Sequence, residues 1–507
     1  MADEQPDSAH NTDDNKSAVK LEPHPAIVPG KTQVGRHGTK IAGQKLAVLV
    51  AGVVVVVGVV AFVVVGHKGS DSKKVASQQQ TKTMFDYNKC LKDTEATGKD
   101  ATAAGAVCQD NQRKYNAAHG IVDDTASGGD LGDPGSTDPL TRGKALGYGQ
   151  CTGTGSAKLT HAPMDMKDVE TIQPMGLTIG AHVTPVDHEY YYQKNPSAAA
   201  NTYPVYAVMD GTITGAGHVG NAWAVFLSHS CTFYADYNLM TDLTDEIKAQ
   251  LPAGWGPNSN GNVKIPVKSG QLIGYVGGQS LDFAVWDTTK TLKGFLNPVA
   301  YNNAEPWKIN TVHPLDYFTD TVKQQVLTRY VRTAEPRDGK IDYDVNGQAV
   351  GNWFQVGTDG YAGGDQGTSS QTYFKGHLAL AYDYIDPTAL TFSIGDYQGA
   401  PTQFAVKGSV DWTKITPTSG VAKVELAQRQ YTLADGSKWN TKYATGIKMV
   451  PGPSQATVLL QMTDKQVMKV EVFPGKTPAQ VSDFSSAAVL YNRGQDAHMP
   501  VNTTATP

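Results

Sequence analysis

Several residues of this 507-residue chain are of types that could do chemistry. In HAPMDMKDVETIQPMG (161–176), His161, Asp165 and Asp168 set an imidazole and two carboxylates close together, donors that suit zinc or a harder ion. Taken alone, that spacing reads as loop and cap residues. Ser228 and His229 are adjacent on an apolar run, but no Gly-x-Ser-x-Gly elbow precedes them, so a serine triad has no support. Cys231 lies in a strand-like run, whereas a cysteine nucleophile needs exposure and a neighbouring histidine base. The four cysteines are Cys90, Cys108, Cys151 and Cys231, and none lies two residues from another, which argues against a thiolate zinc knuckle. An even count suits disulfides in an oxidising compartment; the alternative is four buried thiols. Of the three possible pairings, sequence proximity favours Cys90–Cys108 with Cys151–Cys231.

The elements that must position these residues begin with a membrane segment. Residues 46–65 read LAVLVAGVVVVVGVVAFVVV, without a charge. As a helix this run spans about 30 Å, the thickness of a hydrocarbon core. It is too long for the apolar region of a cleaved signal peptide, and no A-x-A-like site follows it. Residues 1–44 are polar and predict a disordered cytoplasmic tail. All four cysteines follow the apolar run, so the expected arrangement is a signal anchor at 45–66 with the C-terminal side extracytoplasmic. The first expected partner is therefore the lipid bilayer. The stretch 67–125 predicts a helical stalk, in which a Cys90–Cys108 bridge would stabilise a hairpin by about 3 kcal/mol. Residues 126–150, rich in Gly, Asp, Ser and Pro, read as a linker. A net charge of −5 gives no electrostatic case for nucleic acid.

From Cys151 onward short alternating runs dominate, so the fold class is mainly β. The pairs Asp210-Gly211, Asn346-Gly347 and Asp435-Gly436 predict hairpins. Helices are expected only at 243–251, 316–331 and near TPAQVSDF. Two β domains in series follow, at 151–315 and 316–495, with a flexible tail at 496–507.

Four fragments in the first β domain carry a resemblance. They are GAHVTPVDHEYYY (180–192), YPVYAVMDGTITGAG (203–217), FLSHSCTFYADYNLM (226–240) and VKSGQLIGYVGGQSLDFAVWD (267–287). In this order they resemble the lysostaphin-type (LytM) zinc metallopeptidase domain, also described as a duplicated hybrid motif. The resemblance implies a β-sheet domain with a zinc held by a His, an Asp four residues later, and a final His-x-His strand. It places Asp187 in the first motif, but the residue four before it is Val183, and His182 is one step off. The last motif reads Ser280-Leu281-Asp282, and the position of a further catalytic His reads Tyr234-Ala235-Asp236. The ligand set becomes His182, Asp187 and Asp282, with His188, Asp236 and His229 as further candidates. Such a set could still take zinc or another divalent metal. The reading preferred on these departures is a degenerate domain whose site residues hold hydrogen bonds and loops. The resemblance then implies a non-catalytic protein that binds or scaffolds peptidoglycan or another envelope glycan. The alternative is an active metal-dependent envelope endopeptidase with an altered ligand set.

The second β domain is expected to be a closed barrel or sandwich of about eight strands. Its triplet Gly351-Asn352-Trp353 resembles the Gly-x-Trp start of lipocalin-type barrels. A barrel interior could hold a small apolar ligand, and a filled core is the preferred expectation.

Overall fold

A computed structural model describes residues 132–495, apart from 220–221, 254, 256–258, 303 and 364–372. The apolar run 46–65, the tail before it, the stalk with Cys90 and Cys108, and the C-terminal tail lie outside the described residues. Among the described residues no helix is long and apolar enough to cross a membrane.

These residues are mainly β, with eighteen strands in three sheets and four short α-helices among them. The first helix, α1 (Pro139–Leu146), falls in the stretch read as a linker. Asp138 caps it by accepting from the Thr141 backbone N–H at 2.8 Å, and Pro139 fits its first turn. It is not a free tether, because Arg142 is buried and donates to Asn310, Asn302 and the Pro306 carbonyl. A Cβ on Gly143 would lie 1.7 Å from the Cys231 carbonyl oxygen, so only glycine allows this approach. The Cys151–Cys231 disulfide fastens the same segment to the sheet.

The first ten strands are β1 (Val169–Gln173), β2 (Glu189–Gln193), β3 (Tyr203–Tyr206), β4 (Gly211–Val219), β5 (Ala222–Ser230), β6 (Phe233–Met240), β7 (Asp242–Leu243), β8 (Asn260–Val267), β9 (Leu272–Val276) and β10 (Leu281–Asp287). Seven form an antiparallel sheet in the order β1-β2-β10-β6-β5-β4-β8, and β3-β9-β7 form a small second sheet. Period-two alternation sends Tyr191, Phe283, Val285, Ala235, Tyr237, Val225 and Leu227 to one face. There they pack with Leu315, Val322 and Val326 from helices α3 (Pro314–Tyr317) and α4 (Asp320–Leu327). Each such fully buried side chain contributes about 1.5–3 kcal/mol. The helical stretch after residue 313 thus belongs to the core of the sheet rather than to the second β unit.

The remaining eight strands run from β11 (Gly351–Gln355) through β12 (His377–Tyr382), β13 (Leu390–Tyr397), β14 (Ala400–Lys407), β15 (Ala422–Thr432), β16 (Lys448–Asp464) and β17 (Val467–Pro474) to β18 (Val489–Asn492). They pair consecutively, and β11 pairs with β18 to close a barrel. Trp353, Phe392, Phe404, Trp412, Met462 and Met468 fill its interior. Arg493 lies 3.6 Å over the Trp353 ring and donates to Asp344 and to the carbonyls of Gln348, Val350 and Asn352. The barrel grips the sheet unit: Gln403 on β14 makes two 3.0 Å hydrogen bonds to the Gly180 backbone, and Arg429 on β15 donates to the Thr178 carbonyl.

Four expectations differ from the outcome. Asp210-Gly211 does not join a hairpin, because β3 pairs with β9 while β4 pairs with β5 and β8. The run 207–209 enters the core instead, and Asp210 accepts from Ser269 N and Lys268 Nζ at 2.9 and 3.0 Å, tying it to a neighbouring turn. Asn346-Gly347 is a turn, but the residues before it form no strand; Asp342 and Asp344 bind the backbone of Gly294 and Leu296. Near TPAQVSDF only a 3-10 turn forms, at Pro478–Gln480. The expected helix at 243–251 is a single turn, α2 (Asp245–Lys248).

Candidate functional site

The face of the large sheet opposite its core carries charge. Asp282 on β10 pairs with Tyr190 on β2 and Asn238 on β6, while Asp236 pairs with Ala284. Register therefore sets Tyr190, Asp282, Asn238 and Asp236 on one face, with the two aspartates as diagonal neighbours. The loop entering β2 adds Asp187 and His188. A tight turn joined by reciprocal Ile179–His182 backbone hydrogen bonds places His182, with its ring centroid 5.7 Å from that of His188.

His188 is the hub. Its Nδ1 lies 3.2 Å from Asp187 Oδ1, and its Nε2 lies 3.0 Å from the Tyr190 hydroxyl and 3.5 Å from Asp282 Oδ2. A doubly protonated imidazole, with two N–H donors, matches these partners. Burial alone would lower its pKa, but the Asp282 and Asp187 carboxylates outweigh this and push it up to about 8. Burial pushes Asp282 up to about 7 against the pull of His188. Asp236 is raised well above the carboxylate range by burial and by Asp187 and Asp282, although Asn238 donates to it at 2.6 Å. His182 is pushed down to about 3 by burial and by the nearby positive charges of His188 and Lys308.

Lys308, in a 3-10 turn at Lys308–Asn310, is buried. Its Nζ lies 3.7 Å from Asp187 Oδ1, 3.0 Å from Glu305 Oε2 and 3.5 Å from the Tyr361 hydroxyl. Burial would raise the Asp187 pKa; Lys308 and His188 hold it well below the usual range. No motif singled out Lys308 or Glu305, and Tyr190 and Tyr361 also went unnoticed. These residues come from the connector, from β2 and from the β11–β12 connection of the barrel, and meet only in three dimensions.

A catalytic zinc needs three converging protein ligands. Among the described residues no three His, Cys, Asp or Glu side chains converge in that way, and a lysine ammonium already stands beside Asp187. The position four before Asp187 is Val183, fully buried.

Two carboxylate oxygens in the cluster, Asp187 Oδ2 and Asp236 Oδ1, are buried and have no hydrogen-bond partner. The cluster reaches solvent through the half-buried edge of His182 and through His188, which is 15 % exposed. Aromatic rings extend it: Tyr148, Phe226, Trp286 and Trp307 beside Asp236, and Tyr190, Tyr192 and Tyr361 on the other side.

The structure thus brings His182, Asp187, His188, Asp236 and Asp282 together. His229 lies elsewhere, exposed, with Nδ1 3.1 Å from the Asp210 carbonyl oxygen. His161 faces the Ala162 carbonyl and the Tyr206 ring, and Asp165 pairs with Lys167. The Asp168 carbonyl accepts from Lys194 N.

No protein-family model and no curated protein matches the chain. Solved structures that it resembles include Helicobacter pylori Csd3 from an orthorhombic crystal, at 18% identity and a TM-score of 0.19, covering 32% of this chain and 35% of that one. Csd3 from a hexagonal crystal matches at 20% identity and a TM-score of 0.17, over 26% of this chain and 31% of that one. The match spans about a third of the Csd3 chain.

Proposed function

We propose that this chain is a membrane-anchored, extracytoplasmic protein that binds a cell-envelope polymer, peptidoglycan or a related glycan, without cleaving it. The observation that carries the reading is Lys308. Its ammonium balances Asp187 from within the protein, at the residue that the LytM-like motif assigns to the metal. His188 and Asp282 balance each other in the same cluster. A site in which Lys308 and His188 already stand beside these carboxyl groups can bind polar groups through protein charges. The half-open cluster flanked by tyrosines suits sugar or peptide contacts. The apolar run 46–65 supports the anchor, and the Cys151–Cys231 disulfide supports an oxidising compartment.

The metal-dependent hydrolase stays as a second reading for one reason. Asp187 is held ionised and His182 neutral, which are the protonation states a metal ligand needs. Metal analysis of the purified full chain, together with assay of fragment release from peptidoglycan, separates the two. The proposal expects substoichiometric zinc and no soluble fragments. Stoichiometric zinc that is lost in Asp187→Ala and His182→Ala, with fragment release, would overturn it.

A further inference from the structure

We propose that Lys308 and Asp187 join through a side-chain amide bond, an intramolecular cross-link formed with Glu305 as the proton carrier. The bond stands whatever the sheet face binds.

Among the described residues Lys308 is the one lysine that is buried. A carboxyl group lies on each side of its Nζ, Glu305 Oε2 at 3.0 Å and Asp187 Oδ1 at 3.7 Å, with the Tyr361 ring 5.1 Å away. The Asp187 distance is too long for a charge-assisted hydrogen bond, and a buried ion pair repays its desolvation only with close geometry. The amine instead stands near the separation from which a nucleophile attacks, about 3–3.5 Å. A lysine amine becomes such a nucleophile when it is desolvated beside a base, which Glu305 supplies. Both partners are held in place. Trp307 stacks on Trp286, and Ile309 packs in the apolar cluster around Tyr301, so the lysine turn is anchored on either side. Asn310 accepts from Arg142 Nε at 2.6 Å and donates to the Lys290 carbonyl at 2.7 Å. Asp187 Oδ1 lies 3.2 Å from His188 Nδ1.

The step balances without a co-reactant. The Lys308 ammonium gives one proton to Glu305, and the freed lone pair forms a bond to Asp187 Cγ. Negative charge gathers on Oδ1, where the His188 N–H stabilises it. The Cγ–Oδ2 bond breaks with its electron pair on the oxygen. Oδ2 collects the proton held by Glu305 and one more from the nitrogen, and leaves as water. Glu305 is returned ionised, and one N–H remains on the amide. Burial of all three side chains favours this direction, because a low dielectric disfavours the separate charges. An ammonium and a carboxylate become one neutral amide, so the charge balance at Asp187 is unchanged. The bond fastens the loop entering β2 to the connector and removes Asp187 as a metal ligand.

Intact-mass spectrometry of the purified full chain, denatured and with its disulfides reduced, tests this. The native chain should weigh one water molecule less than its sequence. Tryptic digestion should yield a branched peptide that joins the segment holding Asp187 to the segment holding Lys308, uncleaved after Lys308. Lys308→Arg and Glu305→Gln should both restore the full mass; if either variant fails to fold, the native chain decides alone. Full sequence mass in the native chain, or complete cleavage after Lys308, overturns the bond. So does a water loss confined to an unbranched peptide, the mark of a succinimide at Asp435-Gly436 or of a bond from Lys308 to Glu305. A branched peptide that persists in Glu305→Gln overturns the part given to Glu305.

Discussion

The barrel and the large sheet each bury charged groups but leave them in different states. In the barrel, Arg493 stacks on Trp353, pairs with Asp344 and donates to three carbonyls. On the face of the sheet opposite its core, four carboxyl groups share two cations, and Asp187 Oδ2 and Asp236 Oδ1 have no partner, where in the barrel the comparable atom is Arg493 Nε. A closed barrel has two sides to fill and no edge to offer, so its polar groups serve its own closure. A sheet with one face on the core can place an incompletely paired cluster on the other. The proposed function assigns the first to stability and the second to ligand binding.

The sharpest way to break this comparison is Arg493→Ala. It leaves Asp344 buried and unpaired, and we expect a loss of about 3–5 kcal/mol in denaturant unfolding. A loss below about 1 kcal/mol, the range of surface pairs, would show that the barrel charge is not structural. Lys308→Met is the corresponding change in the sheet. It strips the buried partner from Asp187 and Glu305 and should cost about 2–4 kcal/mol at neutral pH, with a gain in zinc affinity by equilibrium dialysis. Zinc affinity unchanged from the native chain would mean that the ammonium does not stand in for a metal.

A change of opposite sign is expected at Asp236. Asp236→Asn keeps the shape and replaces a carboxyl group whose ionisation burial opposes, so thermal unfolding should show a gain of about 0.5–2 kcal/mol while polymer binding weakens. Destabilisation with unchanged binding would place Asp236 with Arg493 as a structural group.

The smallest effect is expected at His313, whose Nδ1 lies 2.8 Å from Asp338 Oδ1 in the connector. Burial opposes its charge, but the hydrogen bond to Asp338 prevails and raises its pKa. Its stabilisation is then complete below the unfolded value of about 6.5 and disappears as pH rises through the higher folded value. Because the ring is partly exposed, the term should be about 0.5–1 kcal/mol. A pH series of denaturant melts should show it, and His313→Gln should flatten the curve.

Much of the β architecture was legible in the sequence because alternation reports burial directly. The runs 222–240, 377–397 and 456–474 formed hairpins where their patterns change direction. The same regularity pointed to about eight strands in a barrel or sandwich, and they close as a barrel. Asp210-Gly211 misled because a turn dipeptide specifies local geometry, whereas the burial of 207–209 chose the partner strand. The short helix at 139–146 was hidden by a composition rich in turn residues, and its position depends on Arg142 reaching residues far along the chain. In the site, Asp236 and Asp282 were visible because each lies in a recognisable strand fragment, and Asp187 because it lies in the first motif fragment. Lys308 was not, since a lone lysine in a connector carries no periodic signal and acquires meaning only beside Asp187.

The central claim is that this face binds its polymer through protein charges alone. The most direct measurement is sedimentation of the purified full chain with peptidoglycan, with and without a strong chelator. The account predicts the same bound fraction in both. Binding abolished by the chelator and restored by zinc would contradict it.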